Sequence, residues 1–406
     1  MRSVPVATAA LLVAACHTAP PVPSPDSAGV APASPAALGF DSIRLDSVTV
    51  YLRSQVDSAF PSAVVAVGRH GRLALLSAVG HYGIDDPRPV TPETIYDLAS
   101  LTKVIGLTTA CMLLVDVGKL NLDAPVSRYL PEFRGPGKDR VTVRHLLTHS
   151  SGLPAWRPLF REARNRPEAL ALVDTTPLDT VPGARFVYSD LGAITLMQVV
   201  ERITDERIDR FLDRRVFRPL GMTATRYLPP TSWRDRIAPT ENDTAFRHRV
   251  LRGEVHDENA GRMGGVSGHA GLFSTAPDLA VFVPWLLDAR GGAAPGHGPG
   301  VDPPVVSTRT LAEFLRRQDL PTGSTRALGW DTPADSGYSS AGSKLSRRGF
   351  GHTGFTGTSI WVDPERDLFI ILLSNRVHPT RANTRILQVR PRVADLVVAA
   401  LVSPER

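Results

Sequence analysis

Apolar residues from Phe40 onward change between two periodicities, and the order of those periodicities predicts the first elements of the fold. Behind Asp41, which can cap a helix, apolar residues recur at helical spacing over residues 45–56. The next stretch, 62-SAVVAVGRHGRLALLSAVG-80, has two β-rich runs joined by a turn at His70-Gly71. The pattern therefore predicts a helix followed by a β-hairpin at the start of the domain.

A long helix is predicted next, from near Ser100 to Gly118, with a broad apolar face. Residues 119–300 combine helical segments with many proline-containing loops and show little strand pattern. One of these segments is 191-LGAITLMQVVERIT-204, which Asp190 can cap. The middle of the chain is therefore predicted to be a mostly helical layer.

Strands return near the end of the chain, in 358-TSIWVD-363 and 368-LFIILLSN-375, and an apolar helix near 393–402 closes it. With β-rich segments at both ends and helices between them, the pattern predicts an α+β fold. One sheet is completed by both ends of the chain, and a mostly helical subdomain is inserted. The predicted domain covers residues 40–402, with an α/β part at about 40–118 and 305–402 and a helical part at about 119–304.

The N-terminus has the pattern of an export signal. Arg2 precedes an apolar stretch over residues 4–16 that is too short to span a bilayer but has the length of a signal-peptide core. Its end, Val-Ala-Ala-Cys16, resembles a bacterial lipobox, so we expect residues 1–15 to be a lipoprotein-type signal peptide and Cys16 to be lipidated. The Pro-, Ala- and Ser-rich residues 16–39 are predicted to form a tether. A plain signal peptide with a chance cysteine is the alternative.

Composition adds limits on partners and compartment. The chain has 406 residues, a net charge of +6 and scattered arginines, which argues against a nucleic-acid groove. After Cys16, only Cys111 remains, so no intramolecular disulfide is expected, and its apolar surroundings predict a buried thiol. We expect an exported, lipid-anchored protein of the cell envelope on the periplasmic side, and His17 after the cysteine favours the outer membrane if the source is Gram-negative.

Candidate chemistry begins with 97-DLASLTKVIGL-107. The chain has only four lysines among 46 basic residues, so the lysine at position 103 is a candidate for a chemical role that arginine cannot fill. Side chains three residues apart share a helix face, so the Lys103 amine can reach the Ser100 hydroxyl. A serine in the first helical turn also lies where the helix dipole and backbone N–H groups favour negative charge. A helix-cap serine followed by a surface lysine is the alternative for this pair alone.

Two further stretches give that pair a context. The segment 186-FVYSDLG-192 places Tyr188 just before a helix, and 350-FGHTGFTGTSIWVD-363 places His352-Thr353-Gly354 on or beside a strand. Together with Ser-x-x-Lys, these motifs resemble the serine β-lactamase and penicillin-binding superfamily. The resemblance is to its class C and Streptomyces-type DD-carboxypeptidase branch, which includes serine esterases.

The resemblance covers nearly all of residues 42–402. It includes 117-VGKLNLDAPVSRYLP-131, 141-VTVRHLLTHSSGLP-154 and 271-GLFSTAPDLAVF-282, which look like the segments between the motifs in the family. It implies a β-lactamase/transpeptidase-like fold, with an antiparallel sheet flanked by helices.

The resemblance also implies a set of roles. Ser100 would be the nucleophile that forms an acyl-enzyme, and Tyr188 with Lys103 would take its proton and later activate water. A phenolate is a useful base at neutral pH only where positive charge stabilises it, and Lys103 would supply that charge. The backbone N–H groups of Ser100 and Phe355 would form the oxyanion hole. Residues His352, Thr353 and Gly354 would form the strand edge beside the substrate, with Gly354 leaving room for the acyl group.

Two positions depart from the β-lactamase pattern. The second motif usually ends in asparagine, whereas this chain has Asp190, which adds an acid near Lys103. The third motif has His352 where class C β-lactamases have lysine. Histidine occurs there in Streptomyces-type DD-peptidases and some esterases, so efficient penicillin hydrolysis is less expected.

The other histidines favour structural roles. His256, Asp257 and His269 could suggest a metal site, but their spacing matches no standard zinc motif, so hydrogen-bonded loop histidines are expected. His149, in Thr-His-Ser-Ser-Gly, is predicted to be structural. Ser267 lies in no G-x-S-x-G, so an α/β-hydrolase lacks its nucleophile elbow here. We expect no cofactor and no metal.

These observations predict an envelope serine hydrolase that works through an acyl-enzyme. Its most favoured substrates are peptidoglycan stem peptides ending in D-Ala-D-Ala, and small esters or amides are possible partners. An esterase, a class C-like β-lactamase or a muropeptide amidase of the same fold is the alternative. A noncatalytic envelope-binding protein is the alternative from another class.

Overall fold

The computed structural model describes residues 30–287 and 305–402. The predicted signal peptide, the lipidation position Cys16 and most of the predicted tether lie outside the described residues. The strands are β1 (Ser62–Arg69), β2 (Arg72–Gly83), β3 (Asp86–Pro89), β4 (Tyr96–Asp97), β5 (Arg226–Tyr227), β6 (Asn242–Asp243), β7 (Arg249–Val250), β8 (Leu272–Ser274), β9 (Phe350–Thr353), β10 (Ser359–Asp363) and β11 (Leu368–Ser374).

The α-helices occupy both ends of the chain and most of its middle. They are α1 (Ser42–Ser54), α2 (Thr109–Asp116), α3 (Val143–Leu147), α4 (Leu159–Glu162), α5 (Arg166–Thr175), α6 (Asp190–Thr204), α7 (Ile208–Leu212), α8 (Glu258–Arg262), α9 (Ala276–Leu287), α10 (Thr308–Leu315) and α11 (Ile386–Ala399). Asp41 caps α1 as predicted, because its carboxylate accepts a hydrogen bond of 3.0 Å from the Arg44 amide. No helix among the described residues has the length and apolar character needed to cross a membrane.

The main sheet has six strands in the order β3-β2-β1-β11-β10-β9. The antiparallel pair of β1 and β11 joins the two ends of the chain, with Ala63 opposite Ser374 and Arg69 opposite Leu368. The predicted hairpin turn is present, and both of its residues, His70 and Gly71, have positive φ angles of 53° and 65°. The prediction of one antiparallel sheet completed by both ends of the chain is confirmed.

Alternation along β1 produces a core on each face of this sheet. Val65 and Val67 face a cluster that includes α1 and α11, whereas Val64 and Ala66 face the larger cluster formed with the helical layer. The helical layer therefore covers one face of the sheet, and the first and last long helices cover the other. This arrangement is the predicted α+β architecture.

A short three-stranded sheet, β4-β8-β5, positions the segment before the nucleophile candidate. Tyr96 pairs with Ser274 and Asp97 with Phe273, and the Leu98 amide donates to the Leu272 carbonyl at 2.9 Å. The predicted long helix follows at once. It contains a π-helical turn at Lys103–Thr108 and continues as α2. π-Helical turns are rare and are frequent at functional sites.

Three predicted boundaries differ from the structure. The end of the predicted tether packs on the domain from residue 30, because Val30 and Leu38 are buried and the Ala33 amide donates to Leu73. The cap of α6 is Ser189, whose hydroxyl accepts from the Gly192 amide, so Asp190 is the first helical residue rather than the cap. The last helix, α11, begins at Ile386 rather than near residue 393. Its first turns also contribute buried residues.

Candidate active site

A strained turn presents Ser100 at the start of its helix. Ala99 has a φ of 47°, which is uncommon for a residue with a Cβ atom. The buried carboxylate of Asp97 holds this turn, since it accepts hydrogen bonds from the Ala99 amide at 2.8 Å and from the His256 amide at 2.7 Å. Such conformations persist where the surrounding contacts fix them, and they concentrate at active sites.

Lys103 points its amine at Ser100, as the spacing predicted. Its Nζ lies 3.0 Å from Ser100 Oγ, 2.7 Å from Asp190 Oδ1 and 3.4 Å from the His269 carbonyl oxygen. Burial alone would lower the pKa of Lys103, but the negative charge of Asp190, helped by Tyr188, outweighs burial and raises it. The side chain is therefore an ammonium ion in contact with the serine hydroxyl.

Tyr188 comes from the loop before α6 and lies beside the same amine. Lys103 Nζ is 4.7 Å from the centre of its ring. On another side, the ring packs against that of His149 with centroids 4.5 Å apart. The structure therefore brings Ser100, Lys103, Tyr188 and Asp190 together.

His149 has a more specific position than its predicted structural role required. Its Nδ1 accepts a hydrogen bond of 3.1 Å from the amide of Ser189, the residue after Tyr188. Burial, together with the positive charges of Arg326 and Lys103, holds the pKa of His149 well below its ordinary value, so the ring is neutral and can accept. His149 thereby fixes the backbone next to Tyr188.

Strand β9 is the last strand of the main sheet, next to this cluster, and it carries His352 and Thr353. The His352 ring is buried, with its centroid 5.9 Å from that of Tyr188. Its Nδ1–H donates to the Thr353 carbonyl at 2.8 Å, and burial holds its pKa well below the ordinary value. Thr353 also lines a cavity of about 600 Å³, together with Trp361 and Arg390.

The structure shows a packing reason for Gly354. A Cβ atom at this position would lie 2.3 Å from the Leu98 carbonyl oxygen and 2.1 Å from Thr358 Oγ1. The absent side chain therefore lets the end of β9 pack directly on the residues before Ser100. The role of Gly354 in leaving room for an acyl group stays a prediction.

The two backbone amides predicted for the oxyanion hole belong to Ser100 and Phe355. Among the described residues, neither amide N–H donates a hydrogen bond to a protein acceptor, so both are available to a ligand. Arg376 holds the second amide in place, because its Nε donates to the Phe355 carbonyl at 2.7 Å. The half-exposed Phe355 ring stacks on His256 at 5.6 Å.

Three side chains that the sequence reasoning did not single out hold this segment, and two of them join it to the nucleophile turn. Thr356 Oγ1 donates to the Asp97 carbonyl at 2.7 Å, and Thr358 Oγ1 donates to the Leu98 carbonyl at 2.9 Å. Arg390 donates to the Gly354 carbonyl at 2.6 Å. The two threonines lie in the stretch 350–363 that the sequence analysis quoted. Their position as polar residues at the ends of predicted strands was the signal that could have identified them.

An open cleft of about 580 Å³ begins at Ser100. Its lining combines aromatic residues with charged residues of both signs. They are Ala99, Ser100, Trp156, Phe160, Arg161, Tyr188, Asp190, Glu241, Asp243, Thr244, Ala245, Phe246, His256, Asp257, Glu258, Ala270, Phe355 and Arg381. The lining suits a substrate with both apolar and polar groups.

The predicted hydrogen-bonded histidines near this cleft are confirmed. His256 Nε2 lies 3.0 Å from Glu241 Oε2, and His269 Nε2 lies 2.8 Å from Asp257 Oδ1. Asp190, Asp257 and His269 each bring one polar atom within 4.8 Å of the others, a spacing at which a cation could bind. The Lys103 ammonium already contacts Asp190, so we assign this cluster to ion pairing.

Comparison with known proteins tests the resemblance. The model of the Beta-lactamase family matches residues 49–393, which is most of the chain. The chain belongs to the beta-lactamase family. Within this family, the fold and the relatives make it a serine hydrolase.

A curated relative from Salmonella agona carries the name "Putative D-alanyl-D-alanine carboxypeptidase". It is 33% identical over 390 residues, covering 87% of this chain and 88% of the relative. Among solved structures, a penicillin-binding protein homologue from Caulobacter crescentus superposes with a TM-score of 0.69 at 20% identity, covering 92% of this chain and 99% of that one. A beta-lactamase/D-alanine carboxypeptidase from Pseudomonas syringae gives 0.67 at 18% identity, covering 91% and 100%. These structures share the fold of this chain.

Proposed function

We propose that Ser100 is the nucleophile of this hydrolase and that it forms an acyl-enzyme. The observation that carries the proposal is the contact of 3.0 Å between Ser100 Oγ and the Lys103 ammonium, beside the Tyr188 ring. An ammonium next to a serine hydroxyl stabilises the oxygen as it loses its proton. The two unused amides of Ser100 and Phe355 would stabilise the oxyanion.

The charge state of Lys103 decides how the roles divide. Because Asp190 keeps Lys103 as an ammonium, the lysine does not take the serine proton itself. Tyr188, as a phenolate stabilised by that ammonium, would accept the proton as Oγ attacks the substrate carbonyl carbon. The tetrahedral intermediate then expels the leaving group, which receives the proton from Tyr188. Water attacks the resulting ester by the same route, and the serine recovers its proton.

The substrate class that we propose is a peptidoglycan stem peptide ending in D-Ala-D-Ala, cleaved as in a carboxypeptidase. The name of the Salmonella relatives supports this choice, as does the predicted export of the chain. The mixed lining of the cleft also suits a peptide. Peptide, ester and β-lactam substrates all present a carbonyl to the same serine, so turnover has to separate them.

The test compares four substrates on the same enzyme: a stem pentapeptide, a muropeptide, an activated ester and a penicillin. We expect release of D-alanine from the pentapeptide and a long-lived penicillin adduct. Both should be lost in Ser100→Ala and kept in Ser47→Ala, a surface substitution on α1. Turnover of the ester alone would make the enzyme an esterase, and release of the whole stem peptide would make it an amidase. If none of the four substrates reacts, the noncatalytic alternative is favoured.

We also propose that a lipid on Cys16 anchors the enzyme at the periplasmic side of the cell envelope. The lipobox-like Val-Ala-Ala-Cys16 and the Pro-rich residues after it support this proposal. Labelling with a clickable fatty acid in a bacterial host should mark the wild type and not Cys16→Ala. An unlabelled wild type that is cleaved and released would favour a plain signal peptide.

A further inference from the structure

Two pairs of ionisable side chains meet at the cleft, and the proposed mechanism uses only one of the pairs. Lys103 pairs with Asp190 at 2.7 Å, and His269 pairs with Asp257 at 2.8 Å. The two pairs also touch, because Lys103 Nζ lies 3.4 Å from the His269 carbonyl oxygen. The polar atoms of Asp190, Asp257 and His269 all lie within 4.8 Å of one another. They therefore form one electrostatic unit, which we call the double pair.

His269 is held on both ring nitrogens. Nε2 faces Asp257, which can only accept when ionised, and Nδ1 lies 2.7 Å from Ser267 Oγ. The sequence of groups is that of a serine hydrolase triad, but Ser267 is fully buried and no substrate can reach it. The ring is also buried, at 1% exposure. His269 can therefore act only by changing the charge around the neighbouring Lys103–Asp190 pair.

The charge count depends on His269. Two carboxylates within 4.8 Å of one another disfavour each other's ionised form unless positive charge lies beside them. Lys103 supplies one positive charge. Burial alone would lower the pKa of His269, but the negative charges of Asp257 and then Asp190 outweigh burial and raise it. Burial alone would raise the pKa of Asp257, but the positive charge of His269 outweighs burial and lowers it. With a protonated His269, the double pair is neutral.

We propose that His269 is a positioning residue whose positive charge balances the Asp257 carboxylate beside the Lys103–Asp190 pair. The inference rests on the proposed function, in which the Lys103 ammonium supports a phenolate at Tyr188. Asp190 stands where the resembling enzymes have an uncharged asparagine, and its charge opposes that phenolate. An unbalanced carboxylate at Asp257 would add to that opposition, and His269 keeps Asp257 from making the site negative.

The charged groups that face His269 define what its loss would do. Asp257 comes from the cap of α8, Asp190 from the first turn of α6 and Lys103 from the π-helical turn. His256 is engaged by Glu241. Removing the imidazolium leaves two carboxylates and one ammonium, which disfavours the phenolate. The base then needs a higher pH, so the acidic limb of kcat/KM moves upward.

The experiment is a pH profile of kcat/KM for whichever substrate acylates Ser100. In His269→Asn, we expect the acidic limb to move up by about one pH unit. The second substitution Asp257→Asn, added to His269→Asn, removes the carboxylate left unbalanced and should move the limb back towards the wild type. Ser267→Ala removes a contact of His269 but no charge, and it should leave the limb in place. A merely structural histidine predicts a lower kcat with no displacement of the limb and no reversal by Asp257→Asn, and that result would overturn the proposal.

A second measurement determines the charge of His269 in the wild-type protein. In wild-type protein labelled with ¹⁵N-histidine, the His269 signal, assigned through its change in Ser267→Ala, should show both ring nitrogens protonated at pH 7. A neutral ring would overturn the proposal. These outcomes differ from a failure of the proposed function, which would appear as an absent acyl-enzyme in the wild type.

Discussion

Lys103 and Lys138 are both buried, at 3% and 1% exposure, but their surroundings differ. Lys103 contacts the carboxylate of Asp190 and the hydroxyl of Ser100 at the cleft. Lys138 lies in the helical layer, where its Nζ donates to the Asp174 carbonyl at 2.5 Å and lies 4.4 Å from the centre of the Phe133 ring. Burial lowers the pKa of Lys138, whereas Asp190 reverses the effect of burial at Lys103.

The difference shows that burial alone does not set the chemistry of a lysine. A carboxylate in direct contact keeps Lys103 charged where a substrate can reach the serine beside it. A carbonyl and an aromatic ring stabilise Lys138 where no substrate can enter, so its contacts serve the packing of the helical layer. The two lysines should therefore respond to substitution in opposite ways, one in activity and the other in stability.

The strongest test of this comparison replaces each lysine with arginine. In Lys103→Arg, we expect kcat/KM to fall at least about 10³-fold, because a planar guanidinium cannot take the place of the compact ammonium between serine and aspartate. Thermal unfolding should change little. The matched control, Lys138→Arg, should keep activity within about threefold. Wild-type rates in Lys103→Arg would remove the lysine from the mechanism.

A second test disturbs the Lys103 region without touching either lysine. Gly354→Ala places a Cβ atom against the Leu98 carbonyl and should push β9 away from the turn before Ser100. A displacement of about 1 Å near the reacting groups can lower kcat/KM by about 10²-fold. The control is Gly192→Ala, where the new atom meets nothing closer than 3.6 Å. Equal kinetics in the two variants would contradict the close packing of β9 on the nucleophile turn.

A third test removes the side chain in the other region. Lys138→Ala leaves a cavity beside Phe133 and an unpaired Asp174 carbonyl, which should lower the free energy of unfolding by about 2–4 kcal/mol. Activity at a temperature where the variant is folded should stay within about threefold. Chemical denaturation and steady-state kinetics on the same preparation measure both. A large loss of kcat in folded protein would show that the two regions are coupled.

The smallest expected effect concerns pH and the carboxyl of Asp174. Burial raises its pKa to about 6, above the ordinary value of 3.8. The folded state therefore binds this proton more tightly, so the contribution of Asp174 to stability is fully present below about pH 4 and is lost as pH rises through 6. Asp174→Asn should remove this loss and be more stable than the wild type at pH 8 by about 1–3 kcal/mol. Parallel pH dependences of the melting temperature in both proteins would contradict it.

Local periodicity was sufficient to predict the sheet and the first site contact. The hairpin at His70-Gly71 and the pairing of both chain ends follow from short apolar runs typical of buried strands, and the contact between Ser100 and Lys103 follows from helical spacing. The last helix was predicted to start too late. Pro391 lies inside α11, and a proline usually ends a helical pattern.

The rest of the site depends on contacts between distant parts of the chain. His149 bonds to the amide of Ser189, forty residues later, and Thr356 and Thr358 bond to carbonyls more than 250 residues earlier. No local pattern encodes such pairs. The packing of Gly354 against Leu98 was missed for the same cause, since Leu98 lies more than 250 residues earlier in the chain.

The most direct test of the central claim is intact-mass and peptide-mapping spectrometry after brief incubation with a penicillin and with an activated ester. We predict a single acyl adduct on the peptide that contains Ser100, absent in Ser100→Ala and present in Lys138→Arg. An adduct on any other residue, or full turnover by Ser100→Ala, would contradict the assignment of Ser100 as the nucleophile.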